Sequence, residues 1–591
     1  MKKIIYITCL IFLFSCSEDI LDKKPLGIIS DASVWNDPAL INAYMTQLWA
    51  DTYILVNEVN NNAITNGVGW FQITYPIKIG GETRLNWGGN VNSYRRGGLS
   101  INGGLFEWWE NAYRINRRLN EFIERIPESP LDEATIQANL AEARFLRAFQ
   151  YFSMVKRYGG VPLITEAQDI AAPEEELFLP RNTEEEIYNF VISEMDAILD
   201  DLPQEKAPVR YGKPTKFTAL ALKCRAALYA GSIAQYGTVQ LDGVVGIDAG
   251  KANSFYQQSY DAANQIMTSG EFALYNEDDD KVMNFRNLFI DKNNSEVIFA
   301  VIHDEVNSQQ GGNGWGWDFI ETPLPNGVAA GNADGVYLEI VESFEYIDGT
   351  SGELDRDAIT EGLWTTEELW KDKDPRFFAS VYTQDTPWKG TTLDFHNGIL
   401  RADGTLQTTG SYEGILAMGT HQFSTGIGFG VLKMLDEAHD NTIGWGTSST
   451  DFLVFRLGEI LLNYAEAAYE LNRTDDALDA VNQIRERAGI AALSSIDREK
   501  IRHERKVELL FENHRYWDLR RWRTAEVELS KNGSGLRYIL DYNTGKFKLE
   551  IMEQVDGTVN QPLFLARHYY LPITLNRTAN NPNLVENPGY E

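Results

Sequence analysis

The sequence predicts a mainly α-helical protein in which helix pairs form a scaffold and a loop-rich irregular insert carries a few short strands. Apolar residues recur at helical spacing before residue 275 and again after residue 451. Capping residues and glycines punctuate both blocks. Between them, glycine, tryptophan and turn residues replace the periodicity.

The first element is a leader. Lys2 and Lys3 precede an apolar run over residues 4–14, and Ser15 stands directly before Cys16. The run is too short to span a bilayer and reads as a secretory signal peptide over residues 1–15. A cysteine at such a boundary is the lipidation site of a bacterial lipobox, although Phe14 is bulky for its position. Residues 16–30 then form a tether, and acyl chains on Cys16 anchor the protein, each buried methylene adding about 0.8 kcal/mol. Cys9 leaves with the leader, which strands Cys224 without a disulfide partner and assigns stability to the core.

Residues 31–275 form the N-terminal helical region. Ala141, Phe145, Ala148, Phe149, Phe152 and Val155 make one helical stripe, ended by Gly159-Gly160 as a left-handed cap and by Pro162. Thr183 and Glu186 form a capping box, and Ile187, Val191, Ile198 and Leu202 follow on one face. Pro214 sits in a first helical turn, and Phe217, Leu220, Cys224 and Ala227 line the next helix, where Cys224 is a small buried hydrophobe.

Residues 276–450 change texture. One strand-like run spans residues 296–303, and the glycine and tryptophan clusters at 311–317, 388–390 and 426–430 follow. A loop-rich segment this long is functional or disordered, and its aromatic content argues for function. Residues 57–104 share the character. Residues 451–591 return to helices. Leu461, Tyr464, Ala465 and Ala468 face a second helix that starts at Thr474, carries Leu478, Val481, Ile484 and Ala488, and ends at Gly489. Alanine and tyrosine at that spacing in short antiparallel helices give a tetratricopeptide-like pair, which must stack with others to bury its face.

Charge and missing motifs exclude function classes. The formal net charge is −32, or −34 without Lys2 and Lys3, which repels nucleic acid and anionic lipid. His503-Glu504 lacks the second histidine of a zinc-protease helix, and His514 is too distant to share a metal. No nucleophile elbow or phosphate loop is present. The acidic runs at 278–280 and 348–357 lack the ligand order of a calcium loop and read as solvated loops. Neither catalysis, a cofactor nor a metal is expected.

Ordered blocks then identify a resemblance. They are Leu-Asp-Lys-Lys-Pro at 21–25, Ala-Glu-Ala-Arg-Phe-Leu-Arg-Ala at 141–148 running into Tyr-Gly-Gly-Val-Pro-Leu-Ile at 158–164, and Gly-Lys-Pro-Thr at 212–215. Phe-Arg-Leu-Gly-Glu at 455–459, the charged stretch 504–522, and Asn-Pro-Asn at 581–583 before Asn-Pro-Gly-Tyr at 587–590 complete the set. Together they resemble the SusD/RagB family. The resemblance implies a cell-surface, outer-membrane lipoprotein that binds oligosaccharide or polysaccharide and delivers it to a SusC-like TonB-dependent transporter. Ser17-Glu18-Asp19 is similar to the acidic export signal of such lipoproteins. A sister branch implies peptide instead of glycan, and a pure protein-interaction scaffold is the other alternative. The stretch 504–522 reads as scaffold, its carboxylates and arginines interleaving on one helix as i,i+4 pairs.

A glycan reader needs exposed flat aromatics on loops with polar neighbours. Trp87 and Asn90 on a glycine loop, with Arg84, Asn86 and Tyr94 beside them, meet that requirement. Trp87 and Asn90 also resemble the ligand loop of starch-binding family members. Trp315 and Trp317, with Asn313 and Asp318, meet it as well, and Trp70, Trp364 and Trp388 rank second. Trp108 and Trp109 begin a helix and are assigned to the core.

Overall fold

The computed structural model describes residues 34–52, 74–85, 95–104, 106–206, 211–306, 314–323, 333–407, 426–440, 446–559 and 561–591. The leader, Cys16 and the tether lie outside them. The fold is mainly α. Its longer helices are α1 Pro38–Asp51, α2 Trp109–Arg125, α3 Glu133–Tyr158, α4 Glu184–Ile198, α5 Lys216–Tyr236, α6 Ala252–Met267, α7 Lys281–Ile290, α8 Leu457–Glu470, α9 Thr474–Ala488, α10 Arg498–Glu508 and α11 Arg515–Arg521. Successive neighbours pack pairwise: α2 on α3, α3 on α4, α4 on α5, α5 on α6. The stack then skips along the chain, α6 meeting α8 and α8 meeting α9.

Local chemistry sets the ends. Asp132 accepts from the Thr135 amide to open α3, and the Thr183–Glu186 capping box opens α4. Gly159 closes α3 at φ +75° but ψ −143°, a glycine-only conformation rather than the left-handed cap expected. A side chain at Gly160 would strike the Asn182 carbonyl, so close backbone packing explains the second glycine. Pro214 stands one residue before the Thr215 cap of α5, outside the first turn. Gly489 ends α9 in the left-handed conformation.

α3 and α5 are buried nearly all round, because helices flank both and alanines allow close approach. Gly231 faces the Tyr256 ring of α6, where a Cβ would clash. Cys224 packs there against Ser259, and burial pushes its thiol up to about 12. Across the stack Tyr260 and Tyr464 lie with ring centroids 4.4 Å apart, and Arg225 Nε donates to Glu459 at 2.7 Å.

The insert contributes small sheets. Label the strands β1 Thr83–Leu85, β2 Val297–Val301, β3 Asp334–Val336, β4 Val381–Tyr382, β5 Gly430–Val431, β6 Phe452–Arg456, β7 Gly535–Asp541 and β8 Phe547–Met552. An antiparallel sheet runs β1-β3-β5-β4, and β2 pairs with β6 directly before α8. The β7–β8 hairpin carries the short strands Leu363–Trp364 and Ile399–Leu400 on its two edges.

The stretch 504–522 departs from expectation. It is two helices, broken where Phe511 and Asn513 take φ near +65°. Most of its ion pairs reach across the fold rather than along one helix. Glu504 binds Arg376 at 2.6 Å, Glu508 binds Arg456 at 2.7 Å and Arg376 at 2.9 Å, and Glu512 binds Arg456 and Lys433 at 2.7 Å. Arg505 meets Asp518 at 2.7 Å, and Arg521 meets Glu466 and Asp518. All these groups are buried. Alone, burial would raise the Glu508 carboxyl, but Arg487, Arg456 and Arg376 hold it well below the usual carboxylate range. Every partner is needed, because a buried charge without one is strongly destabilising.

The C-terminal segment seals the end of α3. Arg181 Nη2 donates to Tyr158 O at 2.6 Å and to Asn587 Oδ1 at 2.9 Å, and Asn587 Nδ2 donates to Tyr158 O at 3.0 Å. The Asn-Pro-Asn turn adds Asn581 to Leu179 O at 3.1 Å and Asn583 to Phe178 O at 2.6 Å.

Candidate ligand face

Arg84 lies at the centre of β1, in register with Gly335, which is itself in register with Gly430 of β5. It is half-buried, and its Nη1 donates to Val555 O at 2.5 Å. Trp87, Asn90 and Tyr94, like Trp70, Asn86 and Asn313, lie outside the described residues. Leu85 and Arg95 are described. Leu85 is paired with Asp334, and Arg95 Nη1 donates to Asp556 Oδ2 at 3.1 Å. Tyr337 donates to the other Asp556 oxygen at 2.7 Å, and Arg96 donates to the Asp556 carbonyl at 2.7 Å.

Trp315 and Trp317 correct the expectation of exposed loop aromatics, being 7% and 2% exposed. Trp315 stacks between His303, centroids 4.9 Å apart, and Trp317 at 5.4 Å, with Phe452 edge-on at 6.1 Å. Its backbone bridges Ser448 in both directions, and Trp317 Nε1 donates to Lys433 O at 2.9 Å. The chain bends at Gly316, φ −103° and ψ 15°, and enters the short helix Trp317–Glu321, which brings the two rings together. Asp318 is likewise inside: its amide donates to Ser448 Oγ at 2.8 Å, and its carboxylate accepts from the Asp436 amide at 3.0 Å. Burial pushes that carboxyl up to about 7.

Trp388 is also buried, with Arg286 and Lys389 each 5.8 Å from its ring, while Trp364 is half-buried and donates to Ile359 O at 2.8 Å. Trp108 and Trp109 are core, as the helical spacing predicts, and Trp108 Nε1 donates to Gln150 at 2.7 Å.

The end of β1 and the short helix after Trp315 meet at one buried node. Asp334, opposite Leu85 at the end of β1, forms an ion pair with Lys78 at 2.7 Å. Beside it lies Glu321, the last residue of the short helix Trp317–Glu321. Burial first, then the Asp334 charge, raises the Glu321 carboxyl well above its ordinary value. Both carboxyls are sealed from solvent, so this pair joins two elements and does not face a substrate. The Arg95–Tyr337–Asp556 cluster was not visible in the sequence. Its members are 242 and 461 positions apart from Arg95, and only the arginine doublet at 95–96 offered a cue.

A stack of helix pairs bearing an irregular face, fixed by long-range polar contacts, defines a helical-repeat scaffold with an appended surface. The chain belongs to the SusD family: that family's profile matches residues 295–590, and a second profile, described as starch-binding associating with outer membrane, matches residues 86–228. SusD-like protein P2 of Formosa agariphila is 24% identical over 618 aligned positions, covering 100% of this chain and 99% of its own. A SusD-like protein of Bacteroides fragilis superposes with TM-score 0.71 at 23% identity, covering 96% of this chain and 100% of its own. A SusD-like carbohydrate-binding protein from the same species gives 0.70 at 22%, covering 94% and 100%. Among the described residues no helix is long and apolar enough to cross a membrane.

Proposed function

We propose that this chain is a cell-surface lipoprotein, lipidated at Cys16, that captures oligosaccharide or polysaccharide at the outer membrane. It hands the glycan to a SusC-like TonB-dependent transporter and does not cleave it. The observation that carries the reading is the ordered pair of family matches along the chain, one of them to a starch-binding, outer-membrane-associating group. The structural likeness to a carbohydrate-binding protein supports it. In this reading residues 31–275 and 451–591 are scaffold, and residues 276–450 supply the ligand face together with the segment of Trp87, Asn90 and Tyr94 that follows Arg84.

A glycan-array screen of the soluble form, followed by calorimetric titration of the hits, tests it. Saturable binding of a glycan that is recovered uncleaved is expected. Retention of peptides with no glycan bound would move the chain to the peptide branch, and binding of neither would leave a scaffold.

A further inference from the structure

The outer side of α10 and α11 lines a cavity of about 490 Å³, formed with Glu345, Arg485, Leu493, Trp522, Thr524 and Glu528. That volume is within the range of small-molecule sites, about 300–1,000 Å³. Its cations are of two kinds. Arg485 is held by Glu345 at 2.7 Å, and Lys500 lies 3.6 Å from Asp497. Arg502, Lys506 and Arg515 are underused. Arg502 makes no hydrogen bond among the described residues. It lies over the rings of Trp522 at 4.7 Å and Tyr236 at 5.3 Å, and its acidic neighbour Glu499, at 3.5 Å, is 82% exposed. Arg515 makes one long hydrogen bond, 3.4 Å to Glu528, a carboxylate that Lys531 already holds at 2.6 Å.

Both side chains are only 14% exposed, and their Nε atoms and Thr524 Oγ1 are buried without a partner. Lys506 donates to Ser343 alone. Burial, and after it the Arg515 charge, depresses its ammonium to about 7, with Glu528 and Glu339 opposing and Lys531 assisting. Arg505 and Arg521 of the same stretch, which do not line the cavity, are held by Asp518, Asn463 and Glu466. Buried donors of this kind are ordinarily satisfied, and a guanidinium pair is suited to a planar or tetrahedral oxyanion. The surplus stands out in a chain of net charge −32.

We propose that this cavity binds a small molecule through a carboxylate, sulfate or phosphate group received by Arg502, Lys506 and Arg515. The proposal is argued from α10 and α11 and stands whether or not the glycan reading does.

The test is calorimetric titration of the full-length protein in detergent with sodium sulfate, sodium phosphate, sodium glucuronate and glucose, at ionic strength fixed with chloride. Saturable binding of at least one anion is expected, and none of glucose. Glucuronate alone would identify a sugar acid or other carboxylate; sulfate or phosphate alone would identify the free oxyanion or its ester. Arg502→Gln and Arg515→Gln should each weaken binding about tenfold or more. Arg498→Gln, on the same helix but paired with Glu470 at 2.7 Å, should leave it unchanged. If Arg515→Gln fails to fold, Arg502→Gln and Thr524→Val carry the test. Absence of saturable binding for all three anions, equal binding of glucose, or undiminished affinity in the folded variants would overturn the proposal.

Discussion

Arg456 donates to Glu508 at 2.7 Å in the interior, with both side chains at most 1% exposed. Because Arg376 and Arg487 also bind Glu508, Glu508→Ala takes one carboxylate from three buried cations at once, leaving Arg376 on Asp374 and Glu504, Arg456 on Glu296 and Glu512, and Arg487 on Glu296. It should cost about 3–5 kcal/mol by chemical denaturation. Its lowered carboxyl also fixes a sign. The stabilisation is present above the unfolded carboxylate value of about 4.3 and is lost as pH falls through the lowered folded value. Acid titration of the melting temperature should show that loss in the wild type, and Glu508→Gln should lack this contribution.

Asp318 has the opposite sign. Its folded value of about 7 lies above the unfolded one, so its contribution is full below about pH 4 and is lost as pH rises to about 7. Asp318→Asn can still accept from the Asp436 amide. It should be more stable than wild type at pH 7.5 by roughly 1–4 kcal/mol, with a flatter profile between pH 4 and 7. Equal profiles for the two proteins would refute the assignment.

Tryptophan substitutions should separate core from ligand face. Trp317→Ala and Trp109→Ala, both buried, should each cost about 3–5 kcal/mol. Trp87→Ala should weaken glycan binding about tenfold, since stacking over some 60–80 Å² is worth about 1.5–2 kcal/mol, while the melting temperature barely moves. An unstable Trp87→Ala protein would place that side chain in the core and leave the ligand face unassigned.

Anchoring is tested by Cys16→Ala. Metabolic labelling with a fatty acid should disappear and the protein should leave the membrane fraction. A labelled, membrane-bound variant would remove the lipoprotein reading.

Helices were legible because their signals are local. The cap at Thr183, the stripe from Ala141 to Val155 and the stop at Gly489 each sit within a few residues of the structure they specify. Burial of the Trp315–Trp317 pair was not, because it depends on His303, just after β2, and Phe452 of β6 arriving beside it. The glycines around the pair suggested an open loop, whereas their small size lets the backbone approach: a Cβ on Gly314 would strike the Gly446 carbonyl. Interleaved charges at 504–522 likewise look like helix surface until Arg376 and Arg456, over fifty positions away, are brought against them.

The bond between Arg181 and Asn587 spans 406 positions. Residues around Tyr158 therefore leave the ribosome long before the side chain that completes their hydrogen bonding. At about 5–20 residues per second the delay is on the order of 20–80 s. During that interval the end of α3 lacks its final closure, so the N-terminal half remains easier to open than it is in the finished protein.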